Sequence, residues 1–244
     1  MLRLAWAGLA ATYNMLQGRR ADPLPVSDLP EWNEVIAHAK QGTDINDHLG
    51  TLFTEALSVS PTLIVELGVR GGESTFVLER VARVCRSKLV SVDIQDCLKS
   101  SSYEDWSFVQ KDDIAFADMF PEWCYQRGLE PRIDVLFIDT SHRFAHTLEE
   151  IRSWFPYLSA RSIACFHDTN SRRICFKKDG RIHPIINKGN GREVIHALEV
   201  YFNRTFNEQV AFTDVVNGWL IGHYPYCYGL TIVKKLSLVK AHDR

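Results

Sequence analysis

The chain has 244 residues, 45% hydrophobic and 24% charged, with 28 basic and 30 acidic side chains and a formal net charge of -2. This is the make-up of a globular chain long enough for one α/β domain with an extension. It carries no net basic field to recruit nucleic acid, so a nucleic-acid partner is not expected.

Residues 1–17 are apolar and alanine-rich. A signal peptide is one reading, but Tyr13 and Asn14 interrupt the run and no small-residue cleavage site follows. The run is also too short for a bilayer, which needs about 20 apolar residues. The expectation is a helix packed on the domain or on a second subunit, a candidate homo-oligomer contact. No other segment is long and apolar enough to span a membrane. Residues 19–30 read as a linker, and 31–59 as helix with a break near Gly42-Thr43-Asp44. Residues 1–59 are thus expected to form an N-terminal helical extension to a domain over 60–244. Cys85, Cys97, Cys124, Cys165, Cys175 and Cys227 include no C-x-x-C pair. Scattered thiols of that kind argue against structural zinc and for a reducing, cytoplasmic setting.

From residue 62 the pattern changes. Short apolar runs at 62–67, 88–94, 106–110, 133–139 and 162–166 predict strands. Helical stretches are expected at 74–85, 114–127, 147–158 and 192–202. Two more strands are expected at 218–222 and 230–234. Alternating strands and helices predict a Rossmann-like, doubly wound, mostly parallel sheet. Ligands of such sheets sit beyond the carboxyl ends of the strands, where strand order reverses.

The residues following the strands are therefore the candidate site. The first strand runs into Glu66-Leu67-Gly68-Val69-Arg70-Gly71-Gly72-Glu73-Ser74. Gly68 and Gly72 allow a sharp turn and close approach to a ligand. The spacing fits neither the G-x-G-x-x-G dinucleotide fingerprint nor a phosphate-binding loop. Asp93 ends the second strand, where a carboxylate can accept bonds from ribose hydroxyls; a solvated strand end is its plain alternative. Asp112 and Asp113 follow the third strand, placed to meet an adenine amino group or to cap the next helix.

Taken together, these motifs resemble class I S-adenosylmethionine (SAM)-dependent methyltransferases over roughly 61–166. The resemblance implies SAM as cofactor. Its binding residues would be Glu66, Gly68, Arg70, Gly72, Ser74, Asp93, Asp112, Asp113 and Asp139.

Two neighbouring strands then deliver Phe137-Ile138-Asp139-Thr140-Ser141-His142 and Phe166-His167-Asp168-Thr169-Asn170 to one sheet edge. Two carboxylates and an imidazole there can hold a divalent metal, and a second imidazole can act as base. The D-x-x-H at Asp139 and His142, with H-D-T at 167–169, resembles small-molecule O-methyltransferases related to cephalosporin hydroxylase and to macrolide-sugar and rhamnosyl methyltransferases. By that resemblance Asp139 and Asp168 are ligands of Mg2+ or another divalent metal, and His142 is the catalytic base beside Asp139. His167 joins the metal set as a departure, because metal-dependent relatives commonly carry an acid at its position. Imidazole is a poorer magnesium ligand than carboxylate. A base beside a metal favours a hydroxyl acceptor, a sugar or natural product, over an amine.

Residues 170–192 hold seven basic side chains against one acid. Lys178-Asp179-Gly180-Arg181 reads as a hairpin turn, and the segment as a lid over the pocket mouth or as a solvated loop. Trp219, His223, Tyr224, Tyr226 and Tyr228 either line an acceptor pocket or pack a hairpin. Competing readings are the same fold acting on an amine or protein, a catalytically silent SAM-binding module, and, more distantly, a nicotinamide-dependent dehydrogenase.

Overall fold

The computed structural model describes Leu9, Thr12, Tyr13 and residues 27–172, 174–183 and 191–236. The expected helix at 1–17, with its subunit contact, lies largely outside these residues, as do 184–190 of the expected lid.

Eight strands form one sheet in the order β3-β2-β1-β4-β5-β8-β7-β6. β1 (Leu63–Leu67), β2 (Lys88–Asp93), β3 (Trp106–Gln110), β4 (Ile133–Ile138) and β5 (Leu158–His167) are parallel. β8 (Leu230–Lys235) runs antiparallel between β5 and β7 (Trp219–Tyr224), and β6 (Phe212–Val216) closes the edge. From β1 the chain winds outward to β3, then returns to β4 on the other side of β1. Strand order thus reverses between β1 and β4, which opens a crevice at their carboxyl ends.

Helices cover both faces. α1 (Pro30–His38), α2 (Leu49–Ser58) and α3 (Glu73–Cys85) lie on one face. There Val35, Leu52 and Phe53 pack with Val77, Leu78, Ile64 and Phe137. The described part of the extension is therefore built into this core. On the other face are α4 (Asp113–Ala117), α5 (Phe120–Tyr125), α6 (Phe144–Trp154) and α7 (Glu193–Phe202). Phe116, Phe120, Trp154 and Leu198 pack there against Val65, Leu67 and Ile138. Successive residues of β1 enter opposite cores, as a strand's period of two requires.

Three differences from the sequence expectations have local causes. The helix expected at 114–127 is split, because Pro121 opens α5 and cannot continue α4. The helix expected at 147–158 starts earlier and ends at Trp154, where Pro156 begins a short 3-10 turn. β6 was not expected; it pairs with β7 through Asn217-Gly218, both at positive φ, a tight hairpin pair.

Candidate active site

The turn after β1 sits at the crevice. Gly68 has φ +86° and its N–H bonds the Val92 carbonyl at 2.9 Å. A side chain here would land on the carbonyl oxygen of Asp139, so only glycine lets the turn lie against the end of β4. Gly72, at φ +81°, precedes α3, whose N-terminus no side chain caps. That helix start faces the crevice with its unfilled N–H groups.

Asp93 holds the turn in shape. Its Oδ2 accepts from the N–H groups of Val69 (2.8 Å) and Arg70 (3.0 Å), and its Oδ1 from Gln95 (2.8 Å). Oδ2 has both lone pairs in use, and Oδ1 keeps one for a further donor. The Arg70 side chain points outward to Asp44 at 2.9 Å, so its backbone and not its guanidinium belongs to the turn.

Glu66 and Ser74 are placed differently from the expectation of direct cofactor contact. Glu66 is fully buried beneath the turn. It accepts from Ser74 Oγ (2.6 Å), Thr75 Oγ1 (2.9 Å) and Ser91 Oγ (2.6 Å). Burial pushes its carboxyl up to about 7, against the pull of these hydroxyls. Both residues brace the turn from inside the α3 layer. Asp112 caps α4, its carboxylate accepting from Ala115 N at 2.9 Å. Asp113 turns inward to His146.

At the next two strand ends, Asp139, His142, His167 and Asp168 come together as the sequence predicts. His142 and Asp168 both have positive φ, +57° and +56°, a strained conformation for non-glycine residues. His142 lies between two carboxylates, with Nδ1 paired to Asp168 and Nε2 at 3.1 Å from Asp139 Oδ1. Burial disfavours its charge, but the contacts with Asp139 and Asp168 outweigh burial and raise its pKa to about 10. His167 Nδ1 lies 3.4 Å from Asp139 Oδ1 and 3.8 Å from Asp168 Oδ2. Burial again opposes charge, and the Asp139 carboxylate lifts His167 to about 9. Burial also works against the Asp139 anion, yet the positive charge of His167 holds its carboxyl far below the usual range.

The close charges are not all hydrogen bonds. Asp139 Oδ1 and His167 Nδ1 are buried without a hydrogen-bond partner, so the 3.1 and 3.4 Å approaches are ion pairs of poor alignment. Asp139, His142 and Asp168 offer one ligand atom each within 4.8 Å of one another. A divalent cation fits this donor set and would satisfy the orphaned oxygen.

The turn between β7 and β8 supports the site, and so does the segment around His48, which the sequence did not single out. The turn between β7 and β8 sits under it, with Asn170 N bonded to Tyr228 O at 2.5 Å, Asn170 Nδ2 to Pro225 O at 2.7 Å, and His167 Nε2 3.3 Å from Cys227 O. His48 reaches the same turn, bonding the Tyr226 carbonyl, and its ring lies 6.0 Å from that of His167. Burial, with the neighbouring His167 charge, lowers His48 to about 3. The hairpin at 175–183 forms, with Phe176 bridged to Ile182 and Gly180 at φ +81°. It docks on the segment before α2: Lys178 N bonds Asp47 Oδ2 at 2.7 Å and Lys177 Nζ bonds Asn46 Oδ1 at 3.3 Å. Of the tail aromatics, His223 stacks on Phe212 within the β6–β7 hairpin, and Trp219 stacks on Phe155 and packs the hairpin onto the helical layer. All six cysteines are free thiols. Among the described residues, no helix is long and apolar enough to cross a membrane.

Residues 65–169, from β1 through the second acidic motif, match a family described as a methyltransferase domain. These residues are similar to a methyltransferase domain, and the fold is similar to that of solved methyltransferases. No curated protein matches it. Among solved structures, the domain is similar to SAH-bound methyltransferase PaMTH1 of Podospora anserina, with TM-score 0.56, 13% identity and coverage of 88% of this chain and 91% of that one. It is also similar to MycE of mycinamycin biosynthesis, solved with Mg, SAH and mycinamycin VI, with TM-score 0.54, 15% identity and coverage of 89% of this chain and 58% of that one. A third is the O-methyltransferase TomG of Streptomyces achromogenes, involved in tomaymycin synthesis and solved with SAM, with TM-score 0.51, 10% identity and coverage of 97% and 100%. At these identities the likeness is one of fold.

Proposed function

We propose that the protein transfers a methyl group from SAM to a hydroxyl of a small molecule, with a divalent metal at Asp139 and Asp168. The observation that carries this reading is the meeting of two carboxylates and two imidazoles at the strand-order reversal, against the backbone of the glycine turn. The solved relatives support it, since MycE was crystallised with Mg and a macrolide and TomG is an O-methyltransferase.

In this reading Gly68 and the open start of α3 receive the cofactor, and Asp93 accepts from its ribose while holding the turn. Asp139 and Asp168 would hold the metal, with His167 beside them as a third donor and His142 left out as the base, and the metal when bound would lower the pKa of an acceptor hydroxyl. His142 takes the hydroxyl proton. In the resting geometry its ring is charged between two carboxylates, so it becomes a base only when one contact is released. A cation held by Asp139 and Asp168 would weaken their hold on His142 and lower its pKa, so that the ring would lose its proton to solvent and could then accept that of the hydroxyl. The hairpin at 175–183, docked on Asn46 and Asp47, belongs to a lid over the acceptor.

The test is turnover against a panel of hydroxylated sugars and natural products, alongside calorimetry with SAH. His142→Ala is expected to lose roughly 10²–10⁴ in turnover while SAH affinity stays unchanged. EDTA is expected to silence the wild type, and Mg2+ or Mn2+ to restore it. Full turnover by His142→Ala removes the base, and indifference to EDTA removes the metal.

A further inference from the structure

A second cluster of titratable groups is joined to the end of β4 through Thr140, the residue after Asp139, and lies outside the chemistry described above. Asp113, from the first turn of α4, meets His146 and Glu150, one helical turn apart on the same face of α6. His146 Nε2 is 3.2 Å from Asp113 Oδ1 and 3.6 Å from Glu150 Oε1. Thr140 Oγ1 donates to Glu150 Oε1 at 2.6 Å and so connects the cluster to the end of β4. Glu150 is fully buried, and Asp113 is 7% exposed.

The hydrogen bonding does not close. Asp113 Oδ2 and Glu150 Oε2 are both buried and have no partner. The two carboxyl groups lie against one another, and without a cation only a proton held on Glu150 can join them. His146 brings a single N–H toward both and reaches only Asp113 at hydrogen-bond distance. A carboxylate oxygen buried without a donor is costly, and two sharing one site are more so. Burial and the adjacent Asp113 charge accordingly hold the Glu150 carboxyl well above the usual range.

We infer that Asp113, His146 and Glu150 form a second cation site, for a dication of the zinc or manganese class. The three ligand atoms lie within 4.8 Å of one another. A single cation among them would take one atom from each residue and place a positive charge beside the buried carboxyls. One nitrogen and two carboxylate oxygens suit zinc or manganese better than magnesium. Thr140 fixes the orientation of Glu150, as an outer partner does for a ligating carboxylate. The site ties the segment after β3 to α6 and the end of β4, so the cation would stiffen the floor of the crevice. It stands independently of the methyl-transfer reading, because Asp113, expected from the sequence at the cofactor, is buried against His146 instead.

The experiment uses the full chain, stripped with EDTA and dialysed against Zn2+ or Mn2+, with bound metal counted by mass spectrometry and Tm read by calorimetry. Asp168→Asn disables the first cluster and isolates this one. That variant is expected to retain about one metal ion per chain and to gain Tm on binding, as metal binding adds to folding. Adding Glu150→Gln is expected to abolish both uptake and the Tm gain. The Gln amide can donate to Asp113 and keeps the volume, so the metal-free Tm of Glu150→Gln should be at least that of wild type, which separates lost binding from lost folding. No uptake by Asp168→Asn, or equal uptake by the double variant, overturns the inference; a proton shared by Asp113 and Glu150 then satisfies the pair.

Discussion

Gly68 and Asp139 touch through their backbones, and that contact fixes where the turn after β1 meets the reactive side chains. Substituting alanine at Gly68 forces a Cβ onto the Asp139 carbonyl at a backbone φ of +86°. The expected cost is roughly 2–4 kcal/mol in urea denaturation, with loss of SAH binding by calorimetry. Normal affinity in Gly68→Ala would show that the turn does not wrap the cofactor. Glu66 makes a pH-dependent contribution beneath the same turn. Its carboxyl is raised in the folded state from 4.5 to about 7 by burial. A raised acid favours folding while protonated, so this contribution is full below pH 4.5 and is lost as pH rises through about 7. The loss is on the order of 3 kcal/mol. Glu66→Gln, which cannot ionise, should therefore gain stability over wild type at pH 8 but not at pH 4. Parallel stability curves across that range would show that Glu66 does not titrate.

Short helices at the crevice depend on their caps more than on their length. α4 has only five residues, too few to be stable alone, and it starts on the Asp112 carboxylate. Asp112→Ala is expected to cost about 1 kcal/mol, or roughly 2–4 °C in Tm. Turnover should change little if Asp112 is only a cap. A large fall in SAH affinity would return it to the adenine side of the cofactor. Pro121 shapes the same crossover by ending α4 and opening α5. Asp113, the first residue of α4, turns into the protein toward His146 of α6.

Across the molecule, the segment before α2 and the hairpin at 175–183 close over the same strand ends. Asp47 accepts from Lys178 N at 2.7 Å and from Cys227 Sγ at 3.2 Å, so one carboxylate holds the hairpin and the β7–β8 turn together. Asp47→Ala is expected to speed proteolysis of the hairpin and to raise the acceptor KM while leaving SAH affinity intact. An unchanged proteolysis rate would mean that the hairpin is held by other contacts. The arrangement also explains why residues far apart in sequence share the site: Asp44, Asn46, Asp47 and His48 reach it only because α2 packs on the sheet beside α3.

The amino-acid sequence alone determined the alternating strands and helices, the glycine turn and the pairing of D-x-x-H with H-D-T, because each is written in neighbouring residues and in periods of two or 3.6. It also placed Asp139, His142, His167 and Asp168 at one edge, since parallel strands bring their carboxyl ends together. The tertiary structure alone decided which acids face the crevice. Glu66 went inward because β1 is covered on both faces and its odd neighbours took the opposite core. Asp113 went to His146, 33 residues away, and Asp112 became the cap instead. A carboxylate's role depends on the donors within about 3 Å of it, and in a folded chain those come from segments that local sequence cannot place.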